Sequence, residues 1–175
     1  INVIQYVTMA TIGNATDFGD LTLIRYTPMG TGNSTRGISA GGYATSPTTS
    51  VVNIIDYITI SSTGDAQDFG DLTQARYDGA ATSSTTRSVI GAGSDAGSTF
   101  YNVLDYITIG STGNATDFGD LTVARSGIMC TGNDIRGVWL GGSSPSSSNV
   151  MDYVTIASTG NAADFGDLIA ARYGG

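Results

Sequence analysis

Large apolar and β-branched residues crowd into short runs along this chain. The densest run, Asn53-Ile54-Ile55-Asp56-Tyr57-Ile58-Thr59-Ile60, carries bulk at both odd and even positions. Side chains alternate between the two faces of a strand, so such a run predicts a β-strand covered on both sides. The turn Ser61-Ser62-Thr63-Gly64 follows it. Ahead of it lie three weaker pieces: Thr22-Leu23-Ile24-Arg25 leading to a variable strand from Met29 to Gly32, the turn Asn33-Ser34-Thr35, and Arg36-Gly37-Ile38-Ser39-Ala40-Gly41-Gly42, a short strand ending in a glycine pair. A Ser/Thr/Pro-rich loop, residues 43–52, joins the pair to the strong strand.

This pattern is repeated. Asn14-Ala15-Thr16-Asp17-Phe18-Gly19-Asp20-Leu21-Thr22 returns from Asp65, from Asn114 and from Asn161, each time with the same Asp-Phe-Gly-Asp-Leu core. Asp17, Asp68, Asp117 and Asp164 are 51, 49 and 47 residues apart, and the loops at 43–52, 94–101 and 143–148 hold ten, eight and six residues. Without its loop every copy is 41 residues long, so a constant framework carries one adjustable loop.

Four short strands per ~50 residues is the arithmetic of a propeller blade. The residues Arg36, Gly41-Gly42, Tyr57 and Phe69, then Arg87, Ala92-Gly93, Tyr106 and Phe118, then Arg136, Gly141-Gly142, Tyr153 and Phe165, resemble the kelch repeat, whose marks are a glycine doublet, a Tyr and a Trp. Phe stands at the family's Trp position and the only tryptophan, Trp139, lies in the glycine-pair strand, so the resemblance implies a divergent kelch-like blade. The expected fold is all-β, built of β-propeller blades of four antiparallel strands, with about 3.5 repeats present as part of a larger propeller. As one array over 1–175 it divides into a half blade at 1–22, blades at 23–73, 74–122 and 123–169, and the start of a further blade at 170–175. Further blades, or copies of the chain itself, are expected to cover the terminal apolar faces.

Composition sharpens this picture. All 15 acids are Asp and all seven bases Arg, with no Glu, Lys or His and with 25 Gly, a palette of turns and strands. A net charge of −8 argues against a nucleic-acid partner. The lone Cys130 forms no intrachain disulfide and reads as a small buried residue. No apolar run approaches the ~18 residues of a membrane span. Without His, neither a Ser-His-Asp system nor copper chemistry of the galactose-oxidase sort can be built. Asp17-Phe18-Gly19 is similar to the Asp-box turn of sialidases, but Ala15, Ala66, Ala115 and Ala162 stand where that motif has Ser or Thr.

The remaining candidates are polar clusters. Asn14, Asp17 and Asp20 place oxygens three residues apart, a calcium alternative to the plainer reading of Asp capping a turn and pairing with Arg. The sequons at Asn14, Asn33 and Asn114 read as turn chemistry. Arg36, Arg87 and Arg136 are expected to reach a carboxylate between blades. Arg25, Arg76 and Arg125 are expected beside the adjustable loops, pairing with a carboxylate or holding an acidic or sugar ligand. In the loops Tyr43, Phe100 and Tyr101 are the anchors for a partner. Tandem, Lys-free, acidic copies resemble in style the repeats of bacteriophage virion and tail-associated proteins, or of secreted bacterial surface proteins. The expected function is therefore a non-catalytic structural or binding propeller, on a virion or outside the cell, recognising a glycan or protein through its loops. An intracellular kelch-type adaptor is the alternative and a propeller glycosidase, using two carboxylates, the third. The acids of the repeated segment are copies, whereas an active site is unique.

Overall fold

A computed structural model describes residues 2–174; Ile1 and Gly175, the outermost residues of the expected half blade and terminal stub, lie outside the described residues. Those residues form strands and turns, and among them no helix is long and apolar enough to cross a membrane. Strands β1 (Val3–Tyr6) and β2 (Thr16–Asp20) make a two-stranded antiparallel sheet. Then come β3 (Arg25–Tyr26), β4 (Met29–Gly32), β5 (Arg36–Ala40), β6 (Tyr43–Ala44), β7 (Ser50–Val51), β8 (Ile54–Thr59) and β9 (Gln67–Asp71). Of these, β4-β5-β8-β9 form the first complete sheet and β3-β6-β7 a small one at its loop end. The second complete sheet is β10 (Ala80–Ser83), β11 (Arg87–Gly91), β12 (Val103–Thr108) and β13 (Thr116–Asp120). The third is β14 (Met129–Gly132), β15 (Arg136–Leu140), β16 (Ser148–Thr155) and β17 (Ala163–Arg172).

The three complete sheets share one register, with Ser39 opposite Asp56, Ile90 opposite Asp105 and Trp139 opposite Asp152. Strand β10 packs against both β4 and β14, so the sheets stack face to face through their first strands in a propeller-like arrangement. The expectation of strands covered on both faces holds residue by residue. Val89 and Ile90, neighbours on β11, enter different cores, as do Leu104 and Ile107 on β12. One core, with Met29, Ile38, Ile55 and Phe69, lies between the first and second sheets; the other, with Val89, Leu104, Phe118 and Trp139, lies between the second and third. Burying side chains of this size is worth roughly 1.5–3 kcal/mol each, which is what holds neighbouring sheets together.

The Asp-Phe-Gly-Asp motif has a geometric origin. Opposite Ile55 stands Gly70 and opposite Asp56 stands Asp68, so Phe69 is the extra residue of a β-bulge. The same slip skips Phe18, Phe118 and Phe165. A bulge re-aims a side chain, and each Phe meets a tyrosine edge to face: Tyr6–Phe18, Tyr57–Phe69, Tyr106–Phe118 and Tyr153–Phe165, all with centroids 5.8–6.0 Å apart. The bulge also breaks the simple alternation by which Asp17 and Asp20 would face opposite sides. In the last copy β17 runs on to Arg172, so residues 170–172 continue the third sheet.

Candidate functional site

Leaving each fourth strand, the chain crosses to the next sheet through Asp-Leu-Thr and an arginine, and this crossing is clamped from the next sheet's third strand. Thr22 donates from its hydroxyl to Asp56 Oδ1 at 2.7 Å and from its amide to Oδ2 at 3.2 Å, while Arg25 Nη2 reaches Oδ2 at 2.9 Å. Thr73 and Arg76 hold Asp105 the same way, at 2.6, 3.0 and 2.8 Å. Thr122 and Arg125 hold Asp152, with Arg125 Nη2 2.7 Å from Oδ2. All three Arg side chains and all three Asp side chains have zero exposure. Burial pulls the Arg25 and Arg76 guanidinium groups below the usual arginine range, and Asp56 and Asp105 push them back up. Arg25, Arg76 and Arg125 are thus sealed into the sheet junctions. Of the two uses expected for them, the carboxylate pairing is the one found; their side chains have no exposure through which to meet a ligand, and their charge is answered by the chain itself.

The second arginine set differs from expectation. Arg36, Arg87 and Arg136 stack over Tyr57, Tyr106 and Tyr153, each 4.4 Å from the ring centroid, and none forms an ion pair among the described residues. Arg36 Nη1 donates to the carbonyl of Ile109 at 2.8 Å and Arg87 Nη1 to that of Ile156 at 3.0 Å. The planar guanidinium is used for ring stacking and for a carbonyl of the next sheet rather than for a carboxylate.

Above the buried clamp lies the loop end. Tyr26 pairs with Tyr43 and Tyr43 with Val51; in the next copy Tyr77 bridges to Ser94 and Ser94 to Phe100; in the third Ser126 bridges to Ser143 and Ser143 to Ser147. Each adjustable loop therefore rests on an antiparallel base that includes its own crossing segment, and only its tip varies. In the second tip Asp95 Oδ1 accepts from the amides of Thr99 and Gly97, both at 2.8 Å, and these bonds hold its carboxyl below the ordinary range. Tyr43 and Tyr77, from different copies, meet edge to face at 5.7 Å. Tyr26 is 55% exposed, and Tyr43, Tyr77, Phe100 and Tyr101 are half-buried. Tyr43, Phe100 and Tyr101 fall on this surface as read from sequence. Tyr26 and Tyr77 were missed, although both directly follow the clamp arginine, which was the available signal.

The glycine pairs serve the crossings. A Cβ on Gly41 would lie 2.4 Å from the carbonyl oxygen of Arg76, and the amide of Gly42 donates to that oxygen at 2.9 Å. Ala92 replaces the first glycine in the second copy and keeps the left-handed backbone, φ +61°.

No protein-family model and no curated protein matches the chain.

Of the Asn14, Asp17, Asp20 segment, Asp20 and its counterparts in later copies join sheets. Asp65 Oδ1 accepts from the amide of Asp20, Asn114 Oδ1 from that of Asp71 and Asn161 Oδ1 from that of Asp120, at 3.0–3.1 Å. Among the described residues no group of three or more Asp, Glu, His or Cys side chains gathers where a cation could sit. Cys130 packs beside the Trp139 core, and burial pushes its thiol up to about 12, leaving it protonated at neutral pH. A cleft of about 330 Å³, lined by Val3, Leu21, Gly30, Ser39 and Ile58 among others, opens where the two-stranded β1-β2 sheet covers only part of the first complete sheet.

Proposed function

We propose that this chain is a non-catalytic structural and binding protein, a kelch-like propeller segment that presents its loop end to a glycan or protein on a surface, on a virion or outside the cell. The observation that carries the reading is the aromatic surface of Tyr26, Tyr43 and Tyr77 beside two of the sealed Thr-Arg-Asp clamps, those of Arg25 and Arg76. Rigid aromatic side chains bind at small entropic cost, and loops on a fixed base vary without disturbing the fold. The loop tips supply hydroxyls and one acidic turn at Asp95, groups suited to the hydroxyl-rich face of a sugar or a polar protein edge. The glycine pair, the Tyr and the bulged Phe support the kelch-like reading of the blade. The acidic segments support a structural role, because the same atoms bridge sheets in three copies.

The test is glycan-array and surface-protein binding by the 175-residue chain and by a Tyr43→Ala/Tyr77→Ala variant. Loss of binding in the variant, with an unchanged circular dichroism spectrum, is the expected outcome. Binding that survives the double substitution removes the loop end as the recognition surface.

A further inference from the structure

Each complete sheet carries a cleft in the hairpin between its third and fourth strands, at the end opposite the adjustable loops. The three clefts use the same eight positions, spread over 57–67, 106–116 and 153–163, and the second adds Phe69. Their volumes are about 370, 380 and 240 Å³. Apart from Phe69 every wall belongs to the hairpin itself, so the clefts are complete within the chain. In the first, Tyr57 and Thr59 stand on β8, Ser62 and Thr63 in the turn, and Asp65 and Gln67 on the way into and along β9. The ring is fixed from two sides: Arg36 lies over its face, 4.4 Å from the centroid, and Phe69 meets it edge to face. Its hydroxyl donates to Gln67 Oε1 at 2.6 Å. Arg87 and Phe118 hold Tyr106 in the same way, and Arg136 and Phe165 hold Tyr153.

The turn hydroxyls have no use inside the fold. Ser62-Thr63-Gly64, Ser111-Thr112-Gly113 and Ser158-Thr159-Gly160 are the same in all three copies, and their Ser and Thr side chains are exposed. Among the described residues the clefts make only four side-chain bonds: Tyr57 to Gln67, and those in which Asp65, Asn114 and Asn161 accept from the preceding sheet. None involves a turn hydroxyl. The neighbouring turn at the same end, joined to this hairpin by the amides of Ile60, Ile109 and Ile156, has no such constancy. There Asn33-Ser34-Thr35 becomes Ser84-Thr85-Thr86 and then Asn133-Asp134-Ile135. Exposed turn residues that pack on nothing are free to drift, as that turn has. A Ser-Thr pair kept unchanged beside a fixed ring answers to something outside the chain.

We propose that the three clefts bind a neutral saccharide, one short unit in each, so that the chain grips a glycan polymer or a crowded glycan surface at several points. The walls select that class. Sugars present apolar C–H faces and many hydroxyls, and a held tyrosine beside unengaged Ser and Thr hydroxyls meets both. The second carboxylate oxygen of Asp65 and the amide nitrogens of Asn114 and Asn161 are further partners not used by the sheet. No free cation lines a cleft: Arg36 is committed to Tyr57 and to the Ile109 carbonyl, and Asp65 repels an anion. The volumes sit near the low end for small-molecule sites, which fits a short saccharide rather than a peptide segment. Single clefts of this size bind weakly, and three on one rigid array gain by multivalency. These clefts are separate from the loop end and stand whether or not that surface binds a partner.

The test is an array of neutral and anionic glycans probed with the 175-residue chain and two variants. The turn variant is S62A/T63A/S111A/T112A/S158A/T159A; the loop variant is Tyr43→Ala/Tyr77→Ala. The altered turn side chains are exposed and unbonded, so the fold is kept, which circular dichroism checks. At least one neutral glycan is expected to bind the parent, to bind the turn variant at least about tenfold more weakly, and to bind the loop variant as it binds the parent. Ser111→Ala/Thr112→Ala alone, which spoils one cleft of three, is expected to fall between parent and turn variant, and it decides by the same comparison if the larger variant misfolds. A turn variant that holds every glycan as the parent does would overturn the proposal and, if the loop variant alone loses binding, leave the loop-end reading standing. A loss common to both variants, binding of anionic glycans alone, or no neutral glycan bound would overturn it as well.

Discussion

Arg76 Nη2 lies 2.8 Å from Asp105 Oδ2 with neither side chain reaching solvent, although 29 residues and the whole of β10 and β11 separate them in the chain. The arginine belongs to the crossing segment and the aspartate to the third strand of the sheet that the crossing leads into. Thr73, from the same crossing, donates twice to the same carboxylate. The pair therefore ties the path between two sheets to the interior of the second, and it is copied at Arg25–Asp56 and Arg125–Asp152.

Removing one partner strands the other. Arg76→Leu leaves Asp105 as a buried carboxylate answered only by Thr73, and unpaired buried charges of this kind cost about 3–5 kcal/mol. Urea unfolding is expected to show an unfolding free energy lowered by that amount, with folding still cooperative. A loss below about 1 kcal/mol, the worth of an exposed pair, would show that the clamp carries little.

Asp78 offers a pH test. Its carboxyl is half-buried beside Gly127, and burial raises its pKa above the ordinary 3.8, although the nearby Gly127 amide pulls the other way. The folded state then holds the proton more tightly than the unfolded one. Ionisation above the raised value weakens folding, and the penalty vanishes once pH falls below 3.8, where both states are protonated. Asp78→Asn is expected to stabilise the protein at pH 7 and to give no gain near pH 3.5. Equal gains at both pH values would assign the effect to something other than the charge.

Thr27, Asp78, Gly127 and Gly174 occupy the same place in successive copies and share a left-handed backbone, φ +44°, +60°, +59° and +70°. The amide of each of the last three donates to the carbonyl of its predecessor, a backbone ladder running from sheet to sheet. For a β-branched residue that conformation is strained by about 1–2 kcal/mol. Thr27→Gly is expected to raise stability by roughly 0.5–1 kcal/mol after the entropy glycine loses on folding, and Gly127→Thr to lower it by at least as much. Denaturant midpoints check both, and a destabilised Thr27→Gly would show that the threonine side chain repays its strain.

Much of the architecture is legible without coordinates. The runs Ile54–Thr59 and Val103–Thr108 carry bulk on both faces and are strands between two cores, and the constant frame with its adjustable loop appears as copies whose loops vary above a fixed base. Tyr43, Phe100 and Tyr101 could be placed at the loop end by counting from the glycine pair. The side-chain partners could not. Charge and spacing alone send both Arg36 and Arg25 to a carboxylate, with a ligand as a second use for Arg25, yet Arg36 lies on Tyr57 while Arg25 is sealed against Asp56. What separates them is which group is desolvated when two sheets close, a property of the assembled interface.

From its residues alone, then, this chain is determined to be a stack of four-stranded units, because periodicity is local and each unit's two apolar faces demand neighbours. The bulged Phe69, the left-handed Thr27 and the Arg76–Asp105 clamp were decided only in three dimensions. Each exists because the close approach of two sheets imposes on a few residues a conformation or a partner that their own chemistry does not prefer.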